Sequence, residues 1–528
     1  MPYRIEAGIA RPQRLLHALV SFGPWPFILL ALIERALLIA FSSSCWVSTD
    51  DAVMWHAAVD YAHGRFYGPY YYGQDYGPML EALIAAPFAR LGVPLRVLMP
   101  AVTSFLALVP YWFFAIAAHR TGHRLAATVI ACMPLLLPLE YQMMTSLPRG
   151  FINGLSVLAL LPVVQGTTRG TLEHVLVGAV VSVAWFVNPN SLVFSVPYVV
   201  LYLVPGSDLL HRALAVAIGT IVGIGLHHWA QAWCSAHPDR IVHHLRSTAL
   251  HLDRAAIMAG LSNLDAHFRW LMPVLWPYGG MAGCSLVLLG AVAAFLRKWS
   301  LALALLIGMA FITVCFTVDK VHDGLDTVYY PLSRMFLALP LLLAWVSGKL
   351  LEGRRYHGPV FLAGAILVCA CFVVRCARME KTSHAQVASQ KQWIDVGWMD
   401  LRISDARRVK EVSDRYGVGL AVPLPAKIAP AFRAYLYPVL EPGPPATYLY
   451  GFERRYWVRE LYASKVVGTI LFAGGSEEAW ETLMTKDGRI ALVDGTGPDK
   501  LYVIRNNDLA TDELLVYVMR ELGLADPG

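Results

Sequence analysis

Two adjacent carboxylates, Asp50 and Asp51, open the stretch "STDDAVMWHAAVDYAHG" directly after the apolar run "PWPFILLALIERALLIAF". Acids placed where an apolar segment meets water have two readings. Ser, Thr and Asp are ordinary helix openers, so one acid serves as a cap and the other as its solvated neighbour. Alternatively, a carboxylate beside a low-dielectric slab has its pKa raised and becomes a better base, while a nearby cation or metal keeps it ionised. The rest of the connection favours chemistry: "RFYGPYYYGQDYGPMLEALIAAPFARLG" carries five tyrosines, a third aspartate, Asp75, and a Gly-Pro break before a second amphipathic run. Ala52, Trp55, Ala58, Val59 and Ala62 recur at helical spacing, which predicts a helix opened by Thr49 or Asp50.

The elements that must hold these residues are apolar. The chain has 528 residues, 57% hydrophobic and 15% charged, with a mean hydropathy of +0.51, a profile of multi-span membrane proteins rather than soluble ones. Segments of spanning length lie at 22–44, 97–118, 125–142, 150–166, 172–188, 190–205, 212–233, 272–296, 299–317, 334–350 and 358–376, about eleven in all. The first is read as a retained helix, since no small-residue cleavage site follows a short apolar core. One set of connections is short and basic: Arg4 to Arg14, His119 to Arg124, Arg169, Arg212, Arg297 with Lys298, and Lys349 to Arg355. By the positive-inside rule these face the cytoplasm, which also explains the net charge of +6 without nucleic acid as a partner. The long connections 45–96, 234–271 and 318–333 then fall on the exoplasmic side, where function is expected. Eight cysteines with no CxxC pair point to neither a disulfide framework nor a zinc knuckle.

Residues 377–528 differ in texture. Amphipathic runs such as "SDARRVKEVSDRYG" and "SEEAWETLMTKDG" alternate with the short apolar runs "KVVGTILFAGG", "RIALVDG" and "KLYVIRN" before "TDELLVYVMRELG". This predicts a small α/β domain, placed exoplasmically by an odd number of spans. The expected division is a membrane catalytic domain over 1–376, with its first exoplasmic loop at 45–96, and an exoplasmic domain over 377–528.

The acidic pair after the first span, a helix ending at Gly64, and the "GPM" break before "LEALIAAPFARLG" together resemble the first exoplasmic loop of the GT-C superfamily. These integral-membrane glycosyltransferases use polyprenyl-phosphate sugars, and the likeness is to the aminoarabinose-transferase and protein-mannosyltransferase type. "EYQMMTSLPRGFINGLSVLALLP", "AWFVNPNSLVFSVPYVV" and "YYPLSRMFLALPLLLAW" are similar to later blocks of that superfamily, in the same order over roughly residues 25 to 375. Asp51 stands where several subfamilies show Glu, Met335 where Tyr is usual, and Tyr76-Gly77 where some have Lys-Pro or His-Pro, which leaves subfamily and acceptor open.

The resemblance implies transfer of a sugar from a polyprenyl-phosphate donor to an exoplasmic lipid or cell-envelope glycan at a bacterial inner membrane, with the N-terminus cytoplasmic and the site and C-terminal domain periplasmic. It makes Asp50 the base and Asp51 its partner, with the reverse assignment open, and places Arg149 and Arg334 on the donor phosphate, where the planar guanidinium fork suits phosphate oxygens. Asp75, Tyr72, Glu140 and His228 are candidates for binding acceptor or metal; a divalent ion is left open. Glu34 and Arg35, inside the first span, are expected to pair within the bundle. The His-rich connection "HPDRIVHHLRSTALHLDRAAIMAGLSNLDAHFRW" reads as an interfacial amphipathic helix, with headgroup contact preferred over a zinc site at His243, His244, His251 and His267. Two other functions fit the architecture: an oligosaccharyl or protein glycosyltransferase, and a lipid or sugar transporter or flippase. A transporter should repeat its broken, ionisable helices in two halves, whereas here polar chemistry is concentrated in one asymmetric loop and the C-terminal part.

Overall fold

The computed structural model of the chain describes residues 22–137, 150–204, 208–241, 244, 253–269, 271–272, 274–318, 321, 335–352, 358–390, 396–424, 439–440, 446–448, 455–496 and 499–524. In chain order the helices are α1 (Trp25–Leu38), α2 (Thr49–Ala62), α3 (Leu80–Arg90), α4 (Leu95–Arg120), α5 (Arg124–Cys132), α6 (Asn153–Leu158), α7 (Leu161–Thr167), α8 (Thr171–Val187), α9 (Leu192–Leu203), α10 (Leu209–Ala236), α11 (Arg254–Ser262), α12 (Leu264–Phe268), α13 (Gly280–Phe295), α14 (Trp299–Cys315), α15 (Leu339–Leu351), α16 (Gly358–Gln390), α17 (Met399–Tyr416), α18 (Tyr456–Tyr462), α19 (Glu477–Lys486) and α20 (Thr511–Glu521). The strands are β1 (Trp46–Ser48), β2 (Val396–Trp398), β3 (Leu420–Pro423), β4 (Ala446–Thr447), β5 (Thr469–Ala473), β6 (Ile490–Asp494) and β7 (Leu501–Arg505).

The chain divides into two compact units. The first comprises Met1–Ser42, Pro100–Ala230 and Leu245–Ala388; the second, Ser43–Met99, Gln231–His244 and Ser389–Gly528. Helix α16 continues past residues 376 and 377 to Gln390, and residues 43–99 cluster with the C-terminal part.

In the first unit the helices follow the apolar segments, interrupted where proline or a turn intervenes. Among the described residues three helices are long and apolar enough to cross a membrane alone: Trp25–Ser43, Leu95–Arg120 and Leu209–Ala236. Seven further apolar helices of 10–17 residues cover 124–136, 153–167, 171–187, 189–203, 280–295, 299–315 and 339–351. Proline sets several of these breaks: Pro134 turns the end of α5 into a tighter 3₁₀ turn, and Pro162 restarts the chain as α7, since a proline N–H is not needed in a first turn.

Two devices hold this unit together. Helices α8 and α10 meet through glycine: a Cβ at Gly178 would collide with the Val216 carbonyl, one at Gly219 with that of Val175, and one at Gly223 with Ser182. Small residues at such a crossing let two backbones approach, a principal source of helix adhesion in lipid. The second is an ion pair. Arg375 on α16 reaches Glu34 on α1 at 2.8 Å, with Glu34 1% exposed, and also donates to the carbonyls of Leu135 and Leu137 after α5. The expected in-bundle partner for this charged stretch is thus Arg375 of the last apolar helix.

In the second unit, β3, β4, β5, β6 and β7 form one mixed sheet in the order β4-β3-β5-β7-β6. β3 runs parallel to both β4 and β5, while β7 is antiparallel to β5 and β6. Ala406, Val409 and Val412, one face of α17, pack on Ala421, Leu471 and Val503 of the sheet, at the spacing that puts i, i+3 and i+6 together. β1 and β2 form a separate antiparallel ladder pairing Trp46 with Trp398 and Ser48 with Val396, and the Met399 amide extends it by donating to the Cys45 carbonyl at 2.8 Å.

Candidate active site

β1 delivers the chain straight into α2, so Asp50 and Asp51 occupy the first helical turn. There the backbone N–H groups are unsatisfied by the helix itself and its dipole favours negative charge. Residues one apart on a helix point about 100° from each other, and the two acids are buried to different degrees: Asp51 is 1% exposed, Asp50 is half-buried. The Tyr71 hydroxyl donates to the Asp50 carbonyl at 2.5 Å, tying the tyrosine loop to the start of α2. That loop is closed on itself by the Tyr71 amide to the Gly77 carbonyl and the Gln74 amide to the Tyr71 carbonyl, with Gly77 at φ +73° where a side chain would be strained. α3 packs along α2 and carries a further acid, Glu81, fully buried in its own first turn.

A second polar centre lies at the other end of α2, and sequence reasoning missed it. Asp60 is 6% exposed and accepts from the Tyr72 hydroxyl at 3.0 Å. His56, one turn earlier on the same face and also buried, is within 3.2 Å of the Arg455 guanidinium. Arg455 in turn lies 5.7 Å from the Trp457 ring centre, and Trp457 stacks on Tyr67 at 4.2 Å and meets the Tyr72 edge at 4.4 Å. Burial raises the Asp60 pKa above the ordinary carboxylate value, while Arg455 and the Tyr72 hydrogen bond pull against that rise. Burial, then the Asp60 charge, push the Tyr72 phenol far up, so it stays a donor. The arrangement is a carboxyl and an imidazole on one helix face beside an aromatic wall, both in the field of Arg455, with Arg65 also acting on Asp60. Part of it was visible: His56 and Asp60 are spaced i, i+4 on a predicted helix, and the tyrosines are clustered. Arg455, 399 residues from His56, gave no local signal.

The remaining candidates separate. Asp75 pairs with His244 at 3.1 Å, and nearby Tyr70, which shares a hydrogen bond with Gln231, has its pKa pushed up to about 12, mainly by burial. His228 is exposed on α10 in the first unit, next to His227, whose ring stacks with Trp185 at 6.0 Å. Arg149, Arg334 and Glu140 lie outside the described residues, as do His243 and His251. The residues that follow the two arginines are firmly built. Asn188 and Asn190, from the "NPN" turn, donate to the carbonyls of Gly150 and Phe151 at 3.1 and 2.7 Å. Phe336 is fully buried against Phe316 and Phe268. Over 253–268 the expected single interfacial helix is two short ones, α11 and α12, broken at Asn263; His267 is buried beside Phe316. Among the described residues no three His, Cys, Asp or Glu side chains converge to hold a metal.

No protein-family model matches the chain, and no curated protein matches it. Solved structures do. ArnT from Cupriavidus metallidurans in the apo state superposes with a TM-score of 0.50 at 12% identity, covering 90% of this chain and 96% of that one. The same protein bound to undecaprenyl phosphate gives 0.49 at 13%, covering 90% and 97%.

Proposed function

From the premise that the chain shares the fold of ArnT, a GT-C glycosyltransferase and integral membrane protein, we propose that it transfers a sugar from a polyprenyl-phosphate donor to an exoplasmic lipid or cell-envelope glycan. The observation that carries this reading is the buried acid Asp51 beside half-buried Asp50, both in the first turn of the helix that follows the first apolar segment. In the proposed reaction one of these carboxylates takes the proton of the acceptor hydroxyl. The acceptor oxygen bonds to the anomeric carbon, the bond from that carbon to the phosphate oxygen breaks, and polyprenyl phosphate leaves. Asp50 is assigned as base and Asp51 as its partner, orienting the acceptor or a metal, with the reverse assignment the alternative.

Arg149 and Arg334 are assigned to the departing phosphate, whose developing charge a guanidinium stabilises best when fixed in advance. The residues that follow them in the chain are themselves held: Gly150 and Phe151 by Asn188 and Asn190, and Phe336 by Phe268. Asp75, Glu140 and His228 remain candidates for contact with the acceptor. Tyr72 acts as a positioning residue through Asp60. On this reading about eleven crossings place residues 45–96 and 377–528 in the periplasm of a bacterial inner membrane, with 1–376 as the catalytic part and the C-terminal sheet and helices as an acceptor-binding module.

The test is turnover of radiolabelled polyprenyl-phosphate sugars by membranes containing the chain. Expected is release of polyprenyl phosphate with label appearing in a lipid or glycan fraction. Translocation of label with the sugar–phosphate bond intact would identify a transporter instead, and label on protein or an en bloc oligosaccharide would identify the other glycosyltransferase type.

A further inference from the structure

A cavity of about 800 Å³ lies inside the first unit, formed by the ends of α4, α7, α9 and α15 and the beginnings of α5 and α10. Its size is within the ~300–1,000 Å³ range of small-molecule sites. The body is apolar, walled by Phe114, Ile130, Val163 and Trp345, and among the described residues the mouth carries Arg120, Arg212 and Lys349 against a single carboxylate, Glu352. Lys349 is bonded to Glu352 at 2.7 Å, and Arg212 donates to the Tyr202 carbonyl, which holds both cations at the rim; Arg120 is exposed there. Glu173, the other acid close by, is engaged from behind by the Tyr202 hydroxyl at 3.1 Å.

Every connection around this mouth belongs to the short basic set that the sequence assigns to the cytoplasmic face, the opposite set from the 45–96 connection. The occupant must satisfy two halves at once. Water is a poor filler for the apolar body, and a soluble anion satisfies only the rim. We infer that the cavity binds an anionic glycerophospholipid, with an acyl chain against Phe114 and Trp345 and its phosphate at Arg120, Arg212 and Lys349. This goes beyond the glycosyl-transfer reading and does not depend on it; it requires only that the unit lie in a bilayer, where basic pockets between helices recruit acidic headgroups.

Gly166 offers a clean probe, because it lines the cavity and an added Cβ there meets nothing within 4 Å. Full-length protein purified in neutral detergent is titrated with dioleoyl phosphatidylglycerol or dioleoyl phosphatidylcholine and bound lipid counted by native mass spectrometry. Parent protein is expected to favour phosphatidylglycerol by about ten-fold or more, and Gly166→Leu and Arg120→Gln each to lose most of that preference. Arg297→Asn, at another basic connection and outside the cavity, should keep it. Folding is checked by the thermal transition, and if Arg120→Gln is misfolded Gly166→Leu alone decides. Equal binding of the two lipids, retention of the preference in folded Gly166→Leu, displacement by millimolar glycerol 1-phosphate, or stronger competition by undecaprenyl phosphate than by phosphatidylglycerol each overturns the assignment.

Discussion

Replacing Asp51 by Asn separates chemistry from architecture at the start of α2. Asn has the same shape, so the packing of a residue 1% exposed is preserved. What the fold loses is one negative charge in the first helical turn, worth about 0.3–1 kcal/mol at most helix ends. Against this, removing a charge from a buried position relieves a desolvation cost that usually amounts to several kcal/mol before compensation. The two terms oppose each other, so the thermal transition of the same preparation is what separates a folding effect from a chemical one. Loss of the general base, Asp50 in the assignment made above and Asp51 in the reverse one, lowers the rate by about 10²–10⁴-fold, or roughly 2.7–5.4 kcal/mol at 1.36 kcal/mol per decade. Asp50→Asn leaves the Tyr71 hydroxyl its acceptor, because that hydroxyl bonds the Asp50 backbone carbonyl. The assay is turnover of labelled polyprenyl-phosphate sugar in membranes, run beside a thermal-stability trace of the same preparation. At least one single variant should fall by 10² or more with its transition within a few degrees of the parent. If both fold normally and both turn over donor at the parent rate, the carboxylates are caps and the proposed mechanism is wrong.

Glu34→Gln should be among the most damaging conservative changes, because it leaves Arg375 buried without its counter-charge; breaking such a pair costs about 3–5 kcal/mol, seen as a lowered unfolding temperature in detergent. Gly219→Val should separate α8 from α10 and reduce the yield of folded protein, whereas Gly166→Val, in open space, should not. Asp60 carries a pH signature. Its pKa is raised in the fold, so its contribution to stability is complete below the ordinary carboxylate value of 3.8 and fades as pH climbs through the raised value. Asp60→Asn mimics the protonated form, so its stability relative to the parent should increase with pH; a relative decrease would mean that Arg455 dominates burial. Arg455→Leu removes the opposing cation, should raise the Asp60 pKa further, and should make the stability loss larger and extend it to higher pH.

Local periodicity carried the elements well. α2 ends at Ala62 with Gly64 at φ +72°, and α3 ends at Arg90 with Gly92 at φ +84°, where the sequence has the glycines that a left-handed exit requires. The runs "TILFA", "IALVD" and "LYVIR" are strands and "EEAWETLMTK" a helix, since alternation and 3.6-residue spacing are decided by neighbours a few positions away. Long-range pairing is not written that way. Nothing near Trp46 announces Trp398 as its partner, and nothing in "FERRYW" shows that Arg455 reaches His56. The acidic pair was legible because its two members are adjacent in the chain; the Asp60 centre was not, because its cation and one wall ring, at 455 and 457, lie about 400 residues from its carboxyl and from Tyr67 and Tyr72. Likewise Asn263, an unremarkable residue in an amphipathic run, divides α11 from α12 and takes His267 into an aromatic core.

The β1–β2 ladder also bears on biosynthesis. Synthesis runs from the N-terminus, so Ser48 leaves the ribosome roughly 350 residues ahead of Val396, the residue it pairs with. At ~5–20 residues per second this delay is on the order of tens of seconds. During that interval the strand leading into Asp50 has no mate, and a nascent chain stalled or cleaved before residue 396 never acquires one. Pairing of the strand that leads into the acids therefore waits until about three quarters of the 528 residues have been made.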